Sequence, residues 1–226
     1  MLEALGLFPC PVCGGPGGGR NDFCPECRER FQRFTGPRCP GCGGVIDGIL
    51  AQCSSCVTEP LRPWRYAVTC FAYDRFAREV IHKFKFGNCP ELARPLGRMA
   101  AAQLADCREP MDLLTAVPLH WSRYWQRSYN QSALFAGICA GELGVPFRQV
   151  LRRTRPTPHQ ADLPRNERLK NLKGAFALRR GVNIAGLHVW LADDVFTTGA
   201  TLHEAAKTLL NGGAADVRVL TLARVV

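Results

Sequence analysis

One stretch restricts the fold more than any other. An apolar run beginning near Leu187 is long enough for one buried strand, and it leads into two adjacent carboxylates, Asp193 and Asp194. A small hydroxyl-rich turn follows, Thr197-Thr198-Gly199-Ala200-Thr201, and opens into a helical pattern from Leu202 to Leu210. A strand that passes through acids into a Gly/Thr turn at a helix start is suited to seat a phosphate. Free backbone N–H groups and the positive end of the helix dipole point at the ligand. Gly199 lets the backbone come close, and the threonine hydroxyls can donate to phosphate oxygens. Ionised Asp193 and Asp194 suit the vicinal hydroxyls of a ribose, because a carboxylate accepts from O–H. The plainer alternative is a surface Asp-Asp turn capping an ordinary helix.

The second constraint is a cysteine repeat. Of twelve cysteines, eight form four Cys-x-x-Cys pairs: Cys10/Cys13, Cys24/Cys27, Cys39/Cys42 and Cys53/Cys56. Each cysteine of the first half recurs 29 positions later, so residues 1–60 read as a tandem double zinc ribbon. Gly14-Gly15 and Gly43-Gly44 follow the first knuckle of each half, where backbone amides can turn toward thiolate sulfur. Four thiolates in tetrahedral array suit a structural zinc and leave no open coordination position. The segment has few large apolar residues, so metal supplies much of its folding energy. Two sites, one per half, is the simplest pairing; an interleaved pairing or a single occupied site stays open. Cys70, Cys89, Cys107 and Cys139 stand alone and read as small buried hydrophobes.

Pro60, Pro63 and the basic residue between them read as a linker, with a second domain over 61–226. There, apolar strands near Val68–Tyr73, Leu113–Pro118, ahead of Leu151, near Leu187 and at Val217–Ala223 alternate with helical patterns. The helices fall after Asp74, at about 90–105, over Ser132–Leu143 and over Thr201–Leu210. The alternation predicts an α/β domain with a mostly parallel sheet, helices on both faces and a ligand at the carboxyl ends of the strands.

Two polar segments stand beside that frame. Leu119-His120-Trp121-Ser122-Arg123-Tyr124-Trp125-Gln126-Arg127 follows a strand end, where Arg123 and Arg127 could hold a pyrophosphate. The same interleaved aromatics and arginines could instead stack on bases of a single strand. Between Arg148 and Arg180 there are ten basic and two acidic residues, most of the chain's formal net charge of +10. A long basic connection of this kind is either a lid over a polyanion or a solvated loop. The charge favours polyanionic partners such as nucleic acid or nucleotides. No apolar run is long enough to span a membrane, and Met1–Phe8 lacks a secretory pattern, so the expected location is cytoplasmic.

The signature Asp193-Asp194 to Thr201 resembles the phosphoribosyl-pyrophosphate (PRPP) motif of type I phosphoribosyltransferases. Trp190, Ala192 and Phe196 differ from the usual aliphatics there but stay apolar. Together with the Cys-x-x-Cys ribbon, Lys85-Phe86-Gly87, Val117-Pro118-Leu119, Arg127 with Asn130-Gln131, the series Arg153, Thr157, Gln160, Leu163, Arg168 and Asn171, and Gly174-Ala175-Phe176, the chain is similar to the ComF family of competence-associated proteins. Ser128-Tyr129 stands where that family usually has Gly-Phe.

The resemblance implies a type I phosphoribosyltransferase-like domain in which Asp193 and Asp194 hold the ribose hydroxyls and Thr197, Thr198, Gly199, Ala200 and Thr201 hold the 5′-phosphate. Leu119, His120, Arg123, Arg127, Arg153, Gln160 and Arg168 would form the pyrophosphate and flexible loops. Magnesium would come with PRPP. The implied role is DNA uptake and natural transformation, with single-stranded DNA and a DNA-uptake helicase as partners. A PRPP-sensing or single-stranded-DNA adaptor without turnover, and a nucleotide-salvage phosphoribosyltransferase, are the alternatives.

Overall fold

The computed structural model describes residues 8–17, 19, 22–46, 51–58, 62–105, 107, 109–119, 128–156 and 172–225. In chain order the elements are α1 (Pro25–Glu29), α2 (Ser54–Val57), β1 (Tyr66–Ala72), α3 (Arg75–Phe86), α4 (Ala93–Ala105), β2 (Leu113–Ala116), α5 (Gln131–Leu143), β3 (Leu151–Arg153), β4 (Phe176–Leu178), β5 (His188–Phe196), α6 (Ala200–Asn211) and β6 (Asp216–Arg224).

Four of these strands make one all-parallel sheet in the order β1-β6-β5-β2. The expectation of a mostly parallel sheet is met, with one difference. The strand expected ahead of Leu151 lies at Leu151–Arg153 and pairs antiparallel with β4 in a separate two-stranded ribbon. Leu151 and Phe176 are buried there, whereas Arg152 is exposed, so the ribbon buries one face only.

Side chains alternate across the central strand, and the alternation assigns each to a layer. Trp190 and Ala192 join Phe76, Val80, Ile81 and Phe84 of α3, Leu96 of α4 and Phe135 of α5 in one core. Val189 and Leu191 join Leu202, Ala205 and Leu209 of α6 in the other. The helices form for local reasons. Asp74 accepts from Ala77 N at 2.8 Å and caps α3, whose apolar residues fall at helical spacing. Asn130 caps α5, and Gly144 ends it in the left-handed conformation.

The cysteine-rich segment is part of the same body. Its first half contributes Cys10, Phe23, Cys24, Cys27 and Phe31 to the core beneath α3 and α4. Its second half contributes Cys39, Cys42 and Cys56 to the core beneath α6. The two halves therefore grip opposite faces of the sheet. Between them, Phe34 N donates to Cys70 O and Ala72 N donates to Gln32 O, closing the outer edge of β1. An edge strand left bare would template pairing with another chain, and this contact removes that hazard.

Cys70 and Cys139 are buried as expected, and burial keeps their thiols protonated, Cys139 up at about 12. Cys89 and Cys107 are only half-buried. Cys89 sits in the turn between α3 and α4 with its thiol on Gly87 O, and Cys107 follows the end of α4, so both pack against the margin of the first core rather than inside it. Among the described residues, no helix is long and apolar enough to cross a membrane.

Candidate functional site

Strand β5 carries the acid pair to its carboxyl end, and three other segments converge there. From α5, Ser132 Oγ donates to Asp193 Oδ1 at 3.1 Å. From the last turn of α3, Lys85 Nζ lies 2.7 Å from Asp194 Oδ1. Asn130 Nδ2 reaches Val117 O at 3.0 Å, and Gln131 Nε2 reaches Lys85 O at 3.3 Å. Tyr129 OH donates to Phe84 O at 2.7 Å. Segments that are far apart in sequence, at 84–85, 117, 129–132 and 193–194, thus form one hydrogen-bonded cluster.

The acids are not equivalent. Burial and then the neighbouring Asp194 carboxylate push Asp193 up to about 7. Lys85, the Asp194 amide and the Ser132 hydroxyl pull the other way without overcoming that. An acid poised near neutrality can accept from a ribose hydroxyl or hold a proton, depending on what binds beside it.

Beyond Phe196 the chain turns. Gly199 occupies the cap position of α6 at φ +75, a conformation L side chains rarely adopt. A glycine cap supplies no side-chain oxygen of its own, so the positive end of a twelve-residue helix faces the turn with only the Thr198 hydroxyl against its first amide. Thr197 is exposed and Thr198 half-buried; Thr198 Oγ1 accepts from Ala200 N at 3.4 Å. Asp193, Asp194 and the 197–201 turn therefore lie on one continuous strand–turn–helix unit.

The remaining expected site residues divide into two groups. Leu119 follows the end of β2 beside this cluster. Arg153 sits on the β3–β4 ribbon with its guanidinium 5.5 Å over the Phe176 ring. That ribbon brings the ends of the basic connection together. Thr154 Oγ1 donates to Gly174 O, and Gly174 N donates to Glu204 of α6 at 2.6 Å. His120, Arg123, Arg127, Gln160 and Arg168 lie outside the described residues.

Among the residues not singled out as site residues in the sequence, Lys85 and Ser132 touch the acid pair and Arg62 touches the turn. Lys85 stood in a quoted motif without a role. Ser132 offered no signal beyond its place at a helix start. Arg62, read with its flanking prolines as linker, instead donates to Thr198 O at 2.9 Å in the phosphate-type turn.

The two cysteine clusters are each built within one half of the repeat: Cys10, Cys13, Cys24, Cys27 and Cys39, Cys42, Cys53, Cys56, every set of sulfurs within 4.8 Å. Cys13 Sγ is 3.8 Å from Cys24 Sγ, and Cys42 Sγ is 3.6 Å from Cys53 Sγ. A tetrahedron with Zn–S of about 2.3 Å has edges of roughly 3.8 Å, so both sets fit zinc. The knuckles are superimposable in their bonding. Gly14 N donates to Cys10 O and Gly43 N to Cys39 O, each at 2.8 Å, with φ of +73 and +71. Amides of Gly15, Cys27 and Cys53 donate to sulfur at 3.4 Å, which suits thiolate ligands. Their closed coordination assigns them structure rather than catalysis.

Two families of known proteins match the chain. A double zinc ribbon domain matches residues 6–62, and a phosphoribosyl transferase domain matches residues 130–225. The chain is 34% identical to the DNA utilization protein YhgH of Escherichia coli K12, over 99% of both chains. It is 31% identical to competence protein F of Haemophilus influenzae, over 96% of this chain and 97% of that one. With competence protein ComFC of Bacillus subtilis the identity is 28%, over 89% and 83%.

Proposed function

This chain belongs to the ComF family, with a double zinc ribbon and a type I phosphoribosyltransferase-type domain, and from that premise we propose that it binds PRPP and acts in the handling of DNA taken up by the cell. The observation that carries the PRPP reading is the unit from Asp193 to Thr201. It sets a carboxylate pair for vicinal hydroxyls and an open helix start for a phosphate on one strand–turn–helix, in the order a ribose 5-phosphate needs.

In this reading Asp193 and Asp194 accept from the ribose 2′- and 3′-hydroxyls, and Thr197, Thr198, Gly199, Ala200 and Thr201 hold the 5′-phosphate. Magnesium would come with PRPP, held mainly by the ligand's own oxygens rather than by a protein cage, and would supply charge neutralisation for the leaving pyrophosphate. Lys85, 2.7 Å from Asp194, offsets charge where the polyanion meets the acid pair. Arg123, Arg127, Gln160 and Arg168 supply the further contacts to the pyrophosphate in this reading. If transfer occurs, the protein's work is positioning and stabilising the leaving group's charge. DNA is the partner that suits the +10 charge and the name of the Escherichia coli relative, single-stranded DNA is the form this reading takes it to be, and a reducing cytoplasm suits zinc thiolates.

Calorimetry with magnesium–PRPP tests the reading. The wild type should bind, and the double variant Asp193→Asn/Asp194→Asn should lose binding by at least tenfold. A wild type that shows no heat of binding, or a double variant that binds equally well, overturns it.

A further inference from the structure

The second cysteine centre and the phosphate-type turn meet at one side chain. Arg62 Nη1 donates to Thr198 O at 2.9 Å, while its Nη2 lies 4.0 Å from Cys56 Sγ. The guanidinium is 5.3 Å from the Trp64 ring and 5.2 Å from the Phe196 ring. Both rings are themselves fixed. Trp64 Nε1 donates to Gly41 O of the knuckle at 3.0 Å, and the buried Phe196 ring meets the Trp64 ring edge-on with centroids 6.2 Å apart. There is little slack around the arginine: a Cβ on Gly199 would lie 2.6 Å from Arg62 Nη1 and 2.8 Å from the Phe196 ring.

A second arginine repeats the arrangement. Arg224, opposite Phe196 in the β5–β6 register, places Nη2 at 3.8 Å from Cys53 Sγ. Two of the four sulfurs thus face guanidinium groups, and both groups belong to residues that frame the turn at 197–201. The first centre is tied elsewhere. Val12 O accepts from Lys83 of α3, and Asp22 pairs with Arg98 of α4.

Charge makes the link directional. Four thiolates around a divalent cation carry a net charge of −2, and a guanidinium in contact with a thiolate is held by it. Without the metal nothing holds the four sulfurs in one array, and the sulfur contact that places Arg62 is released. The same guanidinium fixes the carbonyl of Thr198, one residue before the glycine that opens the α6 amides.

We propose that Arg62 is a positioning residue that couples the Cys39/Cys42/Cys53/Cys56 centre to the turn at Thr197–Thr201, so that a phosphate ligand binds well only when this second centre is loaded. The proposal rests on the reading of that turn as a phosphate seat. The first centre takes no part. Coupling of binding free energies is reciprocal, so a ligand in the turn tightens metal binding at the second centre, and with metal association unchanged this reads as slower metal loss.

The experiment follows zinc release from the full-length, zinc-loaded chain to a chromophoric chelator, with and without ribose 5-phosphate. Alkylation and mass spectrometry of the freed cysteines assign each phase to a centre. The expected result is that ribose 5-phosphate slows release from the second centre about tenfold, within the usual range of such coupling, and leaves the first unchanged. In Arg62→Met the ligand should slow release less than twofold. Hydrogen exchange of the 197–202 amides gives a readout independent of ligand, and it should rise in Arg62→Met and in metal-stripped wild type.

Ligand that binds the wild type but changes neither phase, or changes both equally, overturns the coupling. So does Arg62→Met with the full ligand effect. If ribose 5-phosphate does not bind the wild type, the phosphate-seat reading fails instead. The coupling is then judged by exchange alone, and unchanged exchange in Arg62→Met and metal-stripped wild type overturns it.

Discussion

Lys85 Nζ stands 2.7 Å from Asp194 Oδ1, so the last turn of α3 partly neutralises the acid pair that ends β5. The pair is largely screened from water, with 20% and 14% of the two side chains exposed, and an ion pair so placed is stronger than a surface one. Lys85 is also among the groups that hold the Asp193 carboxyl down against burial and Asp194. Replacing it with Met removes that cation and leaves two acids facing a polyanionic ligand. In Lys85→Met the pH midpoint for binding ribose 5-phosphate should move up by about one unit, since a nearby opposite charge shifts a carboxyl by 1–3 units. At pH 7 affinity should fall about tenfold. Calorimetry at several pH values reads both, and an unmoved midpoint would remove Lys85 from the site.

Asp193 gives a stability prediction with a definite sign. Its folded value near 7 is raised above that of an unfolded aspartate, so between those values the native state binds more protons than the unfolded chain. Stability from this group is therefore fully present below about pH 4 and is lost as pH rises through 7. Asp193→Asn removes the loss. The variant should match wild type at pH 4 and exceed it at pH 8 by on the order of 1–2 kcal/mol, in urea unfolding of the unliganded protein. Parallel pH profiles for the two proteins would refute the assignment.

The sequence made some parts plain and left others out, for physical reasons. The parallel sheet was legible because buried strands such as Val189–Ala192 are continuous apolar runs between helical patterns. The pairing of cysteines was not, since spacing alone permits interleaving; the Cys13–Cys24 and Cys42–Cys53 contacts settle it within each half. The partners of the acids were hidden for another reason. Lys85 and Ser132 reach them only because α3 and α5 pack on the same face of β5, a long-range relationship with no local pattern. Arg62 reads as a linker residue because it lies between Pro60 and Pro63, and only the folded path of the chain brings it to the Thr198 carbonyl.

Phe31 should be the residue whose loss most weakens the join between the first cysteine half and the sheet. Its ring centroid is 5.3 Å from that of Phe23, 4.6 Å from Phe71 and 5.0 Å from Phe76, and 3% of the residue is exposed. It therefore touches the ribbon, β1 and α3 at once. Phe31→Ala should cost about 3–5 kcal/mol by lost burial and the cavity left behind. Because both halves share cores with the sheet, unfolding of the wild type should be a single urea transition, with fluorescence and circular dichroism coincident. Separate transitions in the wild type would show that the ribbon stands on its own.

Ser128 is the position where the chain carries visible backbone cost near the site. Its φ is +63, one of two positive values among the described non-glycine residues, and its side chain is exposed, so nothing is gained by the Cβ. Left-handed backbone costs an L residue roughly 1–2 kcal/mol, part of which glycine gives back through its freer unfolded state. Ser128→Gly should therefore stabilise the fold by up to about 1 kcal/mol. The neighbour offsets some of the cost in the native chain: Tyr129 OH donates to Phe84 O at 2.7 Å, a bond phenylalanine could not make. Tyr129→Phe alone should destabilise by about 1 kcal/mol, by loss of that hydrogen bond. The double variant should lie near wild type, since the two terms act on backbone strain and on a side-chain contact. Thermal or urea unfolding of the three variants measures this. A Ser128→Gly protein less stable than wild type would mean that the left-handed turn is not where the cost lies.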